Sequence, residues 1–134
     1  MKSKLLPILL LLAAAAFFFW IKMHQRGKGP GVTTTKAITA YTALREGNKT
    51  VVYSKHALCR MDCRHIDETE VKEILKEGTV NFNRIEETNK GVTYPVEGTT
   101  HDGQHVRIVF APNENKLTVI TVIDLEKEWS CDCS

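Results

Sequence analysis

The chain has 134 residues, 25% of them charged and 43% hydrophobic, with a formal net charge of +2, which is room for one compact domain and one hydrophobic core. The positive excess is confined to the start: Lys2, Lys4, Lys22, Arg26 and Lys28 precede Val32, and from Val32 onward 13 basic residues face 16 acidic ones, a net of −3. That balance disfavours a non-specific phosphate-binding surface, and with it a general nucleic-acid-binding role.

Residues 5–21 read LLPILLLLAAAAFFFWI, 17 positions without a charge, about the shortest helix that spans a bilayer core. Pro7 falls in the first turn, where a missing N–H costs little, and Trp20 ends the run, where an indole prefers the headgroup zone. The expectation is a single membrane-spanning helix with the bilayer as its partner through residues 5–21. A cleaved signal peptide competes with it, because Ala13 to Ala16 offer small residues after an apolar run. Phe17 to Trp20 carry the run past that point and favour the anchor. Basic residues flank both ends nearly equally, so topology stays open, with the extracytoplasmic side slightly favoured.

Residues 22–49, with Gly27, Gly29, Pro30, Gly31 and three consecutive threonines, read as a flexible spacer, some of 36–46 being compatible with helix. Thr50 to Tyr53 is a short β-prone lead-in to a domain over 50–134. Ser54 then caps a helix through His65, with Leu58 and Met61 on its buried stripe. Asp67 with Glu70 makes a capping box for a second helix, whose stripe is Val71, Ile74 and Leu75 and which ends at Gly78.

Beyond Gly78 the period becomes alternating and four strands are predicted, over 80–86, 92–97, 105–111 and 117–125. Asn89-Lys90-Gly91, Asp102-Gly103 and residues 112–115 supply the turns. The expected fold class is α+β, with two helices on one face of a four-stranded antiparallel meander, preceded by the transmembrane helix. Pro95 is tolerated there only at an edge or a bulge.

From Tyr53 to about Leu125 the chain resembles a bacterial family of domains of unknown function, family 4258. The resemblance is carried by Ser54-Lys55-His56-Ala57, Arg60, Arg64, Ile66-Asp67, the helix end at Gly78, Val96 to Thr100 and the Asp102-Gly103 hairpin. The order of two helices and then four strands is also similar to the RelE/ParE-like toxin fold, related to small ribonucleases. That likeness implies an architecture and leaves activity to be argued from the site.

His56, Arg60 and Arg64 recur at i, i+4 and i+8 and share a helical face. Metal-independent RNA cleavage needs a base for the ribose hydroxyl and cations for the phosphorane; this set, completed by His101, His105 and Arg107, is a candidate catalytic site. The bland alternative is a capping or hydrogen-bonding His56 with arginines paired to Glu97, Glu86 or Asp62. The four cysteines form the pairs Cys59/Cys63 and Cys131/Cys133. They admit disulfides between the pairs, a four-thiolate zinc site, or free thiols. An internal Cys59–Cys63 bridge would distort a regular helix, and Trp129 is placed to anchor the tail. Two functions follow: a membrane-tethered binding or structural module with a protein partner, favoured by the acidic balance, or a RelE/ParE-like ribonuclease, which requires a cytoplasmic domain.

Overall fold

The computed structural model describes residues 13–17 and 34–133. The chain divides into two compact units, 1–32 and 33–134; of the first, only the helical stretch over 13–17 is described. In the second, α1 (Thr34–Arg45), β1 (Thr50–Tyr53), α2 (Lys55–Arg64) and α3 (Glu68–Glu77) lead into β2 (Thr79–Val80). A 3-10 turn (Phe82–Arg84), β3 (Glu86–Thr88), β4 (Gly91–Thr99), β5 (His105–Pro112) and β6 (Lys116–Asp124) complete it.

The strands form a mixed six-stranded sheet in the order β1-β6-β5-β4-β2, with β3 also on β4. This corrects the expected four-stranded antiparallel meander on two counts. Thr50 to Tyr53 is a true edge strand, running parallel to β6 with Val51 beside Leu117 and Tyr53 beside Val119. The strand expected over 80–86 is broken, because Asn81 accepts from the Asn83 amide and turns the chain into the 3-10 segment. The remainder re-pairs as β3, Glu86 opposite Thr93. Pro95 lies where that break falls: Val96 pairs with Val80 and Thr93 with Glu86, and between them the Pro95 carbonyl accepts from the Asn81 amide. Pro95 has no N–H to contribute to a ladder, so the interruption suits it.

The expected N-terminal membrane-spanning helix is not supported, nor is the single-pass membrane localisation built on it. Among the described residues no helix is long and apolar enough to cross a membrane. Of the apolar run over 5–21, residues 13–17 are described and are helical; the remainder lies outside the described residues.

The core lies between one sheet face and the three helices. Val106, Ile108 and Phe110 of β5 alternate inward, meeting Ala57 and Met61 of α2, Val71 and Ile74 of α3, and Ala40 and Leu44 of α1, all buried. Alternation on β6 shifts phase between Val119 and Val122, both fully buried. A bulge causes this: Phe110 opposes Val119 and Val109 opposes Thr121, so Ile120 is the extra residue and stands 36% exposed. Gly78 ends α3 where a side chain would not fit, since a Cβ would stand 2.6 Å from the Ile74 carbonyl oxygen and 2.9 Å from that of Glu97.

Candidate functional site

Helix α2 starts and stops on local chemistry. Ser54 is extended, its hydroxyl accepts from the Ala57 amide at 3.0 Å and donates to the Ile120 carbonyl at 3.0 Å, so one side chain caps the helix and ties it to the β6 bulge. His65 ends the helix in the left-handed region, with φ 56°. The Ile66 amide then reaches back to the Met61 carbonyl at 2.9 Å. The face toward the sheet carries Ala57, Met61 and Arg64. Leu58, expected on that stripe, is 50% exposed.

Beyond β6 the chain turns on Asp124. Its carboxylate accepts from the Glu126 and Lys127 amides and from the Trp129 indole, each at 2.9 Å. Burial works to raise the pKa of Asp124, but these hydrogen bonds outweigh it and hold the group below the usual aspartate range. Trp129, with the Lys127 ammonium 3.6 Å above its ring, packs edge-on against His65 at 5.4 Å.

The tail then reaches helix α2 and is bonded to it twice, Cys131 to Cys63 and Cys133 to Cys59, with Cα separations of 5.9 and 5.8 Å. The spacings match for a geometric reason. Four helical residues rise about 6 Å and two extended residues span about 7 Å, so Cys-x3-Cys on a helix and Cys-x-Cys on an antiparallel tail form two rungs of one ladder. All four sulfurs are used in these bonds, so they do not form a four-thiolate zinc centre. Among the described residues no other group of His, Cys, Asp or Glu is arranged to hold a metal.

Of the residues considered for chemistry, one touches this clasp. His56 is exposed, its Nδ1 3.2 Å from the Cys133 carbonyl oxygen. Arg64 is 9% exposed and its guanidinium donates to the Val122 carbonyl of β6. Burial, and then the neighbouring Arg60 charge, push the pKa of Arg64 below its ordinary value. The Nε atoms of Arg60 and Arg64 are buried with no hydrogen-bond partner among the described residues.

The other candidates lie elsewhere. Arg107 is on the opposite, open face of the sheet, since Val106 and Ile108 point into the core. It is bound to Glu97 at 2.6 Å, and Asn81 donates to the same carboxylate at 2.7 Å. His105 shares its strand parity. His101 sits in the β4–β5 turn with Nδ1 3.2 Å from Glu73 of α3. Beside it Glu70 is almost fully buried, and burial together with the nearby Asp102 raises its pKa. His56, Arg60 and Arg64 thus share helix α2, with His56 exposed and Arg64 buried, while His101, His105 and Arg107 lie on other elements.

One structurally important residue gave little signal in the sequence. Arg45, at the end of α1, donates from Nε to the Leu75 carbonyl and from Nη2 to the Gly78 carbonyl, both at 2.7 Å, and stacks 4.5 Å over Tyr41. It is a cap supplied to the C-terminus of α3 from a helix 30 residues earlier. In the sequence it stood in a stretch read as spacer; the visible clue was the apolar spacing of Ala40 and Leu44.

A family model described as a domain of unknown function (DUF4258) matches residues 53–124. The matched span holds Cys59 and Cys63 but neither Cys131 nor Cys133, nor any of α1. No curated protein matches. No solved structure matches either, so the expected likeness to the RelE/ParE-like fold is without support.

Proposed function

This chain belongs to the DUF4258 family of domains of unknown function, and we propose that it is a small non-catalytic binding module whose C-terminal tail is clasped to helix α2 by two disulfides. The observation that carries this reading is the burial of Arg64: only 9% exposed, with one guanidinium nitrogen on the Val122 carbonyl of β6, it holds helix to sheet and presents little surface to a scissile phosphate. His56 lies against the disulfide-bonded tail at Cys133. A ribonuclease needs a base and cations free to meet the ribose and the phosphorane, and the net charge of −3 from Val32 onward gives polyanionic RNA no general attraction. Two disulfides suit an oxidising environment.

The test is incubation of the oxidised full-length chain and its His56→Ala variant with single-stranded and structured RNA in the presence of a chelator. A binding module leaves RNA intact in both cases, and the variant keeps its fold. Cleavage by the native chain that disappears in His56→Ala overturns the proposal.

A further inference from the structure

Where the end of α1 meets α3 and the β1 edge of the sheet, the surface opens into a cleft of about 270 Å³. Its polar rim is entirely cationic: Arg45, Lys49, Lys72 and Lys76 line it, and no acidic residue does. Its floor is apolar, made of Leu44 and Leu117, both buried, with the half-buried Val51 and Leu75 beside them. In a domain whose charge from Val32 onward sums to −3, four cations around one apolar floor are a local departure from the whole.

The rim is partly preorganised. Arg45 is fixed by two carbonyls and the Tyr41 ring, while its Nη1 group makes no hydrogen bond among the described residues. Lys49 is folded back over Gly47, its ammonium donating to the Glu46 carbonyl at 2.7 Å. Lys72 meets Glu68 only at 3.7 Å with both side chains 60% exposed, an arrangement that solvent leaves weak and exchangeable. Lys76 has no ion-pair partner among the described residues.

We infer that this cleft is a binding site for a small organic anion, a carboxylate carried on a compact apolar body. The apolar floor removes hydrocarbon from water, and the fixed guanidinium with mobile ammonium groups meets the carboxylate. The volume of about 270 Å³ falls just below the roughly 300–1,000 Å³ usual for ligand pockets, which excludes a bulky ligand. A bare inorganic anion would leave the floor unused, and a neutral amphiphile would leave the rim unused. The inference supplies a ligand class for the proposed binding module and rests on that reading.

The test is titration of the oxidised, isotope-labelled full-length chain with octanoate, 1-octanol and inorganic phosphate, followed by amide chemical shifts. Octanoate is expected to give saturable shifts centred on Leu44, Val51, Leu75 and Leu117, with the other two probes weaker by about tenfold or more. The Lys49→Glu/Lys76→Glu chain should keep its native spectrum and lose octanoate affinity by about tenfold. Octanol binding as well as octanoate, phosphate binding as well as octanoate, shifts centred elsewhere, or no saturable shift up to about 10 mM each overturn the inference. None of these outcomes touches RNA cleavage, so failure of the cleft and failure of the non-catalytic reading are read separately.

Discussion

The two disulfides are expected to stabilise the domain unequally depending on the order in which they are removed. Their partners are 74 and 68 residues apart, and closing a loop of either length restricts the unfolded chain by about 4 kcal/mol on the loop-entropy account. Once one bridge is in place, the other closes only a short circuit, four residues along helix α2 and two along the tail, and contributes about 2 kcal/mol more. Either Cys59→Ser/Cys133→Ser or Cys63→Ser/Cys131→Ser should therefore cost about 2 kcal/mol, and removing all four cysteines about 6 kcal/mol. At about 4 °C per kcal/mol for a unit of this size, that is a fall of roughly 8 °C for a single pair and on the order of 25 °C for both. Thermal unfolding of the full-length chain by circular dichroism, oxidised, reduced and in the three variants, gives all the values. If each single-pair variant falls as far as the four-cysteine variant, or if reduction leaves the midpoint unchanged, the two-rung account is refuted.

Arg45→Ala removes both donors to the α3 carbonyls and should cost about 2 kcal/mol, read as a lower urea midpoint at unchanged slope. Gly78→Ala forces a Cβ against two backbone oxygens and should cost about 2 kcal/mol or more by the same assay. The carboxyl of Glu97 has a pKa that burial would raise but that hydrogen bonds from Asn81 and Arg107 hold below its ordinary 4.5. A depressed folded value gives stability fully present above 4.5 and lost as the pH falls through the lower folded value. Arg107→Met should accordingly be less stable than the native chain at pH 7, with the gap between them narrowing below pH 4.5 in urea midpoints measured across that window.

Local signals carried far in this chain and non-local ones did not. Ser54, Asp67 with Glu70, and Gly78 mark helix ends that the structure places at the same residues, because caps depend on neighbours within a turn. Strands β4, β5 and β6 were legible from alternation and turn residues for the same reason. The parallel pairing of β1 with β6 joins residues 66 apart, and nothing in Thr50 to Tyr53 names its partner. Alternation over 80–86 concealed the break at Asn81, which depends on Asn83 and on Pro95 across the sheet. Leu58 fits a helical stripe in the sequence yet is exposed, because Ala57, Met61 and Arg64 form the face that meets β6. An arginine in that face is the least expected member, and only the Val122 carbonyl opposite it explains its place. The basic cleft was not legible either: Arg45, Lys49, Lys72 and Lys76 come from separate segments that only the packing of α1 beside α3 and β1 unites.

The most direct test of the clasp is the cysteine connectivity of the full-length chain, purified without reductant, with thiols blocked before digestion and the peptides mapped by mass spectrometry. The expected result is Cys59 joined to Cys133 and Cys63 joined to Cys131; four alkylated free thiols, bridges within each pair, or a tightly bound zinc ion would contradict the clasp.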